Sequence, residues 1–385
     1  MNAQPASTSR CTRRQVLLLL AGSTVVGLAT ACSSPTPPTT SVPAGPGQSA
    51  PAQREPVQKV SFGFGTKTMD PLATTIVIGQ ELGYYREEGL EVEFKAIGSV
   101  AAMTEAVRNG NLRMSVGSPT FLLTAAAKGD AVPTRLFHEY TYPFKWDWAV
   151  PPDSQVKELS DLKGKKLGVA NFGTIEQLIG KSMLRQVGID PENDVSWTAV
   201  GEGTTGHIAL SRGDIDAMIY YDTGFGAWDA AGLAYRLLDR PKGVPQVGGF
   251  FLQATPSAIQ DQRALVVGMG RATAKGTVFA LENTEAAARV FLKMFPEVGT
   301  TSNSTEENVK ALMAILARRR PRWKSPDRSV TKFGFIREQE LRDEVAFLEL
   351  ASKIADVKPF YTNELNDDIN NFDAELIRRQ AREFA

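Results

Sequence analysis

Hydroxyl side chains occupy two regions where the sequence predicts a helix to begin directly after a buried strand. Ser118 and Thr120 follow the apolar run at residues 113 to 117, and Thr174 follows a second run at residues 165 to 170. The start of a helix leaves backbone N–H groups without partners and carries partial positive charge, so a nearby hydroxyl completes a site for a sulfonate, carboxylate or nitrate group. Ordinary helix capping by Ser118 and Thr174 explains the same pattern, and both interpretations stay open.

Four more candidate ligand-binding residues follow predicted strands. Thr66 and Asp70 come after the first strand of the body, and Tyr221 and Asp222 end a later strand. Neighbouring residues on a strand point to opposite sides, so we expect Tyr221 to face a ligand and Tyr220 to face the core. Asp222 would accept hydrogen bonds from an amine or a hydroxyl, or would cap the helix that follows.

An aromatic set recurs at every second residue in the stretch before residue 150. Such residues share one face of an extended chain, and that face would stack against a flat ligand or pack into the core. Pro143 indicates that the strand is interrupted. We expect Trp146 to reach the ligand, which favours an aromatic or heteroaromatic substrate. The set comprises His138, Tyr140, Tyr142, Phe144, Trp146 and Trp148.

The composition excludes several classes of protein. Lysine and arginine together number 43, as do aspartate and glutamate, so no broad positive field favours binding of nucleic acid. The only cysteines are Cys11 and Cys32, which excludes an internal disulfide, a cysteine nucleophile and a cysteine-ligated zinc site from the rest of the chain. His138 and His207 are the only histidines, too few for a metal cage. We therefore expect no metal and no cofactor.

The first 31 residues have the pattern of an export signal. Arg13 and Arg14 precede a nearly continuous apolar run, and no acidic residue comes before it. This run is shorter than the roughly 20 residues that cross a bilayer. Residues 12 to 18 resemble the twin-arginine export signal, and residues 29 to 32 resemble the lipobox of bacterial lipoproteins, which implies lipidation of Cys32. A cleaved ordinary signal or an uncleaved anchor is the alternative.

The composition of residues 32–56 predicts an extended tether. The segment after the cysteine contains seven prolines and no large apolar residue, so it cannot contribute to a core. At about 3.1 Å per residue it would hold the body on the order of 70 Å from the membrane. We therefore expect an exported protein, lipid-anchored to the outer face of the cell membrane in the periplasm or at the cell surface.

The body, from Val57 onward, alternates short apolar runs with longer amphipathic segments, which is typical of a mostly parallel sheet covered by helices. Two such α/β units are present, and the mainly helical residues 265–385 should cover the first. We predict two lobes with a ligand cleft between them. Lobe I comprises residues 57–147 and 246–385, lobe II comprises residues 148–245, and the crossovers lie near residues 144–150 and 240–248.

Four segments resemble the nitrate, sulfonate and taurine-type substrate-binding proteins of ABC transporters. They are MDPLATTIVIGQELGYYREEGLEVE at residues 69–93, DLKGKKLGVA at 161–170, SRGDIDAMIYYD at 211–222 and YTNELNDDINNFD at 361–373. The resemblance implies the type II periplasmic-binding-protein fold and delivery of a small molecule to an ABC permease and its ATPase. We expect a monomer that binds an organic anion or an aromatic or heteroaromatic compound.

Two other classes of function must be compared with this one. The thiamine-pyrimidine synthases resemble these binding proteins, but they carry a cysteine-rich motif and an essential histidine. Nothing like that cysteine motif occurs in this chain, so we expect a receptor and not an enzyme. A ligand-binding sensor or adaptor domain is the other alternative, and it would need a transmembrane partner but no importer.

Two further patterns are interpreted as structural. Gly268-Met269-Gly270 is similar to part of a dinucleotide-binding loop, but Thr273 stands where glycine or alanine is needed and the flanking pattern predicts a helix. A run of arginines ends another predicted helix, where cations offset the helix dipole and remain solvated. These arginines are Arg318, Arg319, Arg320 and Arg322.

Overall fold

A computed structural model describes residues 57–143, 145–299 and 304–384. The predicted signal peptide at residues 1–31, the tether at residues 32–56 with Cys32, and Phe144 lie outside the described residues. Within the described part of the chain, no helix is both long enough and apolar enough to cross a membrane.

The strands of the described residues form two five-stranded sheets, one in each lobe. They are β1 (Gln58–Phe64), β2 (Leu90–Ala96), β3 (Met114–Gly117), β4 (Arg135–Thr141), β5 (Trp146–Val150), β6 (Lys166–Val169), β7 (Ser196–Ala199), β8 (Ala217–Tyr221), β9 (Arg236–Leu237) and β10 (Phe250–Ala254). The first sheet has the order β2-β1-β3-β10-β4, and the second has the order β7-β6-β8-β5-β9.

Helices flank both sheets. They are α1 (Thr74–Glu81), α2 (Tyr84–Glu87), α3 (Val100–Arg108), α4 (Pro119–Ala127), α5 (Ile175–Gln186), α6 (Thr204–Arg212), α7 (Asp222–Ala230), α8 (Pro256–Asp261), α9 (Arg263–Glu282), α10 (Thr284–Met294), α11 (Thr305–Arg319), α12 (Glu338–Phe347), α13 (Asn366–Ile369) and α14 (Ala374–Glu383). Short 3-10 turns cover Pro71–Ala73, Leu159–Leu162, Pro296–Val298, Arg320–Trp323 and Lys358–Phe360. Gly268 and Gly270 lie inside α9, so this segment is helical, as the sequence predicted.

One strand in each sheet runs antiparallel to its neighbours, and each of these strands follows a crossover between the lobes. β5 is antiparallel to β8 and β9, and β10 is antiparallel to β3 and β4. The chain therefore enters the second sheet at Trp146 and returns to the first sheet at Phe250. The boundary expected between residues 147 and 148 falls inside β5, because the chain resumes an extended, paired conformation soon after Pro143.

Helix α11 of the first lobe packs closely on α7 of the second lobe. A Cβ atom on Gly226 would lie 2.7 Å from the Ile315 Cα atom, so only glycine permits this approach. Arg318 Nε lies 2.6 Å from Asp229 Oδ2. The prediction that all four arginines remain solvated is wrong for Arg319, whose side chain is fully buried because it pairs with a buried aspartate of α7.

The second crossover is fixed at Gly248. Its N–H donates to Glu344 Oε2 at 3.0 Å, and its carbonyl oxygen accepts from the Lys145 ammonium. Its φ of 79° favours glycine, and a Cβ atom there would lie 2.1 Å from the Trp146 ring. Thr120 donates its hydroxyl to the other oxygen of Glu344. Burial raises the pKa of Glu344 to about 7 and lowers the pKa of Lys145 well below its ordinary value.

A second pair of buried carboxyls lies between β4 and α12. Glu139 and Glu340 are 1 % and 2 % exposed. Burial is the main cause of the raised pKa of Glu139, and the nearby charge of Glu340 raises it further. Burial also raises the pKa of Glu340 to about 7, although Arg337 Nη2 lies 3.2 Å from its Oε2. These acids hold protons in the folded chain at a pH where an unfolded chain would release them.

We predict that the free energy of unfolding falls as the pH rises through about 7. A glutamate with a folded-state pKa near 7, against an ordinary value of 4.5, contributes stability that is complete below 4.5 and lost as the pH rises through 7. Glu344→Gln retains an acceptor for Gly248 and a partner for Thr120, so it should remove one group's share of this fall in the free energy of unfolding, about 3 kcal/mol between pH 4.5 and 7. Urea denaturation across the pH range measures this, with the exposed Glu91→Gln as control. Equal slopes in parent and Glu344→Gln would show that Glu344 does not titrate as proposed.

Candidate functional site

The carboxyl ends of the parallel strands in both sheets meet at the two crossovers. Trp146, the first residue of β5, pairs with Tyr221 at the end of β8. Phe250, the first residue of β10, pairs with Thr141 at the end of β4. In open α/β sheets ligands bind outside the carboxyl ends of the strands. The loops that follow β1, β3, β6 and β8 are therefore the candidate site, which we call the interlobe cleft.

Asp70 connects the two lobes from the loop after β1. Its Oδ1 atom accepts from the Leu72 N–H at 2.8 Å, which caps the turn Pro71–Ala73. Across the interlobe cleft, the Tyr221 hydroxyl lies 3.4 Å from Asp70 Oδ2, and the Thr223 hydroxyl lies 3.4 Å from Oδ1. Burial raises the pKa of Asp70, and the charges of Glu202 and Asp222 act in the same direction. This carboxyl is a hydrogen-bond acceptor placed between the lobes.

Asp222 and Arg319 form a buried ion pair beside Asp70. Arg319 Nη2 lies 2.5 Å from Asp222 Oδ1, and these side chains are 0 % and 4 % exposed. The Thr223 N–H also donates to Asp222 Oδ1, at 2.8 Å. Arg322 Nε lies 3.8 Å from Oδ2. The Asp222 carboxylate thus contacts the first turn of α7 without capping it, since Tyr221 is at the cap position and no side chain makes a capping hydrogen bond there. The same carboxylate holds α11 against α7.

Ser118 is at the cap position of α4, yet its hydroxyl makes no capping hydrogen bond. The side chain is 1 % exposed, and its Oγ atom has no hydrogen-bond partner among the described residues. Thr66 Oγ1 is likewise buried without a partner. A buried hydroxyl without a partner loses its hydration without compensation, which a ligand group would supply. Both atoms lie at the carboxyl edge of the first sheet.

The other two predicted hydroxyls are already engaged. Thr120 is fully buried and donates to Glu344, so it supports the second crossover. Thr174 is at the cap position of α5 but donates its hydroxyl to the Asn171 carbonyl oxygen at 3.0 Å. Phe172, in the same loop, has a side chain that is 61 % exposed at the carboxyl end of β6.

Three aromatic rings at the junction of the sheets contact one another beside Lys145. Tyr140 and Phe250 are stacked with ring centroids 6.4 Å apart, and the edge of Trp146 meets Phe250 at 6.1 Å. The Lys145 ammonium lies 4.0 Å from the Trp146 centroid and 3.8 Å from that of Phe250. Trp146 is 1 % exposed and belongs to the core of the second lobe. Tyr220 also faces the core of the second lobe.

Several residues of this region were not among the predicted site residues. Thr223 follows Asp222 and could have been predicted from the sequence, because the first turn of a helix after the strand ending at Tyr221 faces the cleft. Lys145 and Phe250 adjoin the crossovers, and a lysine between aromatic residues is a recognisable signal for a cation held against rings. Arg319 gave no usable signal, since its partner is distant in sequence.

One histidine is engaged by hydrogen bonds, and the other is buried. His207 Nε2 lies 2.9 Å from the Ala234 carbonyl oxygen, and Nδ1 lies 3.1 Å from the Ser211 hydroxyl. Burial lowers the pKa of His138 to about 3. Within residues 57–143, 145–299 and 304–384, no group of three or more His, Cys, Asp or Glu side chains could hold a metal ion.

Solved structures share this fold. A Bordetella bronchiseptica protein is 22% identical with a TM-score of 0.63, covering 81% of this chain and 96% of that one. The alkanesulfonate-binding protein SsuA from Xanthomonas axonopodis pv. citri, solved with MOPS, is 16% identical with a TM-score of 0.59, covering 80% of this chain and 99% of that one. The predicted α/β periplasmic-binding-protein fold with two lobes is confirmed.

Curated relatives carry the names of enzymes. The 4-amino-5-hydroxymethyl-2-methylpyrimidine phosphate synthase of Aspergillus parasiticus is 26% identical over 256 residues, which are 60% of this chain and 70% of the relative. A synthase of the same name from Saccharomyces cerevisiae is 28% identical over 150 residues, 39% of this chain and 42% of the relative. The expectation that the chain is not an enzyme is wrong on this comparison, because relatives named as synthases share its sequence. The family described as NMT1/THI5 like matches residues 70–287, more than half of the chain, and the chain belongs to that family.

Proposed function

We propose that the chain is a substrate-binding receptor that holds a small heteroaromatic ligand bearing an amino group in the interlobe cleft. The observation that carries this proposal is Asp70, a carboxyl of the first lobe within 3.4 Å of two hydroxyls of the second. An amino group that donates to Asp70, Tyr221 or Thr223 would bind both lobes at once. Ligand binding would thereby favour the arrangement in which the lobes are in contact.

The charges of the interlobe cleft favour an amine over an anion. Asp70 and Glu202 interact unfavourably there, and each raises the cost of bringing in a second negative charge. The two buried cations are committed, since Lys145 donates to the Gly248 carbonyl oxygen and Arg319 pairs with Asp222. We therefore choose the heteroaromatic ligand over the sulfonate or carboxylate that helix starts alone suggested. The names of the curated relatives, which specify an aminopyrimidine, support the same choice.

The exposed Phe172 supports a ligand with a flat ring. Its side chain is 61 % exposed, which is unusual for phenylalanine, and it follows β6 at the edge of the interlobe cleft. An aromatic side chain provides a large contact area with few rotatable bonds, so stacking on a ring costs little conformational entropy. Asn171, beside it, donates to Glu202 at 3.3 Å and so ties this loop to the next one.

The receptor would deliver its ligand to an ABC permease and its ATPase. Solved proteins that share the fold include sulfonate-binding components of import systems, and this likeness supports the proposal at the level of fold. Export and a lipid anchor at Cys32 would place the receptor beside the permease, with the proline-rich segment as its tether.

A second candidate function is enzymatic conversion of the same class of ligand. The identity to named pyrimidine phosphate synthases favours it. Both candidates require an aminopyrimidine to bind in the interlobe cleft. They differ in whether the bound compound is recovered unchanged, which mass spectrometry of the released ligand decides.

We predict that 4-amino-5-hydroxymethyl-2-methylpyrimidine binds the parent chain and that Asp70→Asn weakens binding by roughly 10- to 100-fold, the loss of one hydrogen bond to a charged group. Asparagine still accepts from the Leu72 N–H, so the melting temperature without ligand should change little. Calorimetric titration measures the affinity. MOPS is the comparison compound. Binding of MOPS without binding of the pyrimidine would refute the amine-bearing ligand.

We also predict that two serines at helix starts respond in opposite ways to substitution. Ser118→Ala removes a hydroxyl that caps nothing, so it should weaken ligand binding by about 0.5 to 1.5 kcal/mol without lowering stability. Ser99→Ala is the matched control, since Ser99 Oγ accepts from the Ala102 N–H at 3.1 Å. It should lower the free energy of unfolding by about 1 kcal/mol and leave affinity unchanged. Full affinity of Ser118→Ala would remove Ser118 from the site.

Lipidation gives a further prediction. Cys32→Ser should move the protein from the membrane fraction to the soluble fraction, or leave the signal uncleaved, because no thiol remains for the lipid. Cell fractionation with intact-mass measurement tests this, and Cys11→Ser is the control. Unchanged membrane association of Cys32→Ser at the normal mature mass would contradict the anchor.

A further inference from the structure

Two adjoining cavities lie on the first lobe away from the residues of the interlobe cleft. Their volumes are about 370 and 340 Å³, within the range of small-molecule sites. They share three lining residues, Lys324, Phe333 and Arg378. We call the two cavities together the basic groove. The end of α9 lines one cavity, the loop at residues 324–333 lines the other, and Arg378 of α14 lines both.

Basic side chains dominate the lining of the basic groove. Only two acidic side chains line it, Glu282 and Asp327, and both already have donors. Arg382 Nη1 lies 2.8 Å from Glu282 Oε1, and Ser329 donates to Asp327 Oδ1 from its N–H at 2.9 Å and from its hydroxyl at 2.7 Å. The basic residues are Arg320, Lys324, Arg328, Lys332 and Arg378.

Three of these cations pair with no acidic side chain of the described residues, and one of them, Arg320, donates instead to the Leu281 carbonyl oxygen at 2.9 Å. The side chains of Lys324 and Arg328 are exposed and make no ion pair or hydrogen bond with another residue of the described ranges. Arg378 differs, because its Nη1 lies 3.2 Å from Glu375 Oε2, and Lys332 pairs with Asp367. Positive charge is therefore in excess around a concave surface, which raises the local concentration of anions.

The floor of the basic groove is rigid and partly aromatic. Phe333 donates its N–H to Asn370 Oδ1 at 2.8 Å, and its carbonyl oxygen accepts from the side-chain amides of Asn366 and Asn370. Tyr142, which precedes the first crossover, donates its N–H to the Arg322 carbonyl oxygen at 2.8 Å. A floor held by these hydrogen bonds, with exposed cationic side chains around it, suits a compact anion attached to a small organic group.

We propose that the basic groove is a second binding site, which takes a small phosphate-bearing molecule. Lysine and arginine bind phosphate oxygens by charge-assisted hydrogen bonds, and several converging cations match a group that carries close to two negative charges. The site is separate from the interlobe cleft, where Asp70, Glu202 and Asp222 disfavour such an anion. The proposal of this second site does not depend on whether the interlobe cleft binds an aminopyrimidine.

Calorimetric titration with inorganic pyrophosphate tests the proposal on the full chain. The parent should bind it, more weakly at high salt than at low salt. The double variant Lys324→Ala, Arg328→Ala should bind it about tenfold more weakly or not at all, with an unchanged melting temperature because neither side chain has a partner. Arg379→Ala is the matched control, since Arg379 is exposed on α14 but lines neither cavity, and it should bind like the parent.

Several results would overturn the proposal. One is no binding of pyrophosphate by the parent at low salt, and another is equal loss in Arg379→Ala, which would indicate a diffuse attraction to the whole surface. Vesicles of phosphatidylglycerol distinguish a lipid headgroup from a free molecule. Co-sedimentation with these vesicles, abolished in the double variant and without pyrophosphate binding, would assign the groove to membrane phosphate and not to a small solute.

Discussion

Both backbone polar groups of Gly248 are held by hydrogen bonds, and the relative position of the two lobes depends on this residue. Its N–H donates to Glu344 and its carbonyl oxygen accepts from Lys145. Glu344 is carried by α12 of the first lobe, while Lys145 belongs to the other crossover, so this single residue joins both crossovers to a helix. Because Gly248 also adopts a positive φ against the Trp146 ring, no other residue type fits there without displacing that ring.

Burial of charge at the junction follows from that arrangement. Lys145, Asp222 and Arg319 are each at most 4 % exposed, and every one of them depends on a partner from a different element. Removal of Asp222 or Arg319 would leave the other as an uncompensated buried charge, which costs about 3 to 5 kcal/mol. The same junction carries the polar atoms that a ligand would contact, so positioning of the lobes and recognition of the ligand use neighbouring groups.

The alternating pattern of the sequence was sufficient for the fold, because buried parallel strands and amphipathic helices have distinct periods. The predicted helix at residues 100–108 coincides with α3, and the predicted helical C-terminal region contains α9 to α14. The position of the first crossover was predicted less accurately, because a proline marks the interruption of a strand but not the residue where strand pairing resumes. Trp146 was therefore expected at the ligand, although its side chain lies in the core of the second lobe.

The candidate site was harder to predict, because a residue type does not reveal which partner it has. Ser118 and Thr174 both begin helices, and the sequence could not show that neither hydroxyl caps its helix. Thr120 looked like a ligand contact, but its hydroxyl contacts Glu344, which is far away in the sequence. In the sequence, Arg319 has the pattern of a solvated helix end, and only the packing of α7 against α11 shows that it is buried. Contacts between residues distant in the chain decide these roles, and a single sequence does not reveal such contacts.

The position of β10 has a consequence for the order in which the chain folds. Val116 of β3 pairs with Leu252 of β10, and β10 also pairs with β4, so the whole second lobe is inserted between neighbours of one sheet. The second lobe is continuous in sequence and can form its sheet from local contacts as it leaves the ribosome. The first lobe cannot close its sheet until the chain beyond residue 254 has been synthesised. Until then β3 and β4 each expose an unpaired edge, and long-range pairing of this kind is slow. Synthesis thus leaves an interval in which one lobe has its complete sheet and the other can aggregate.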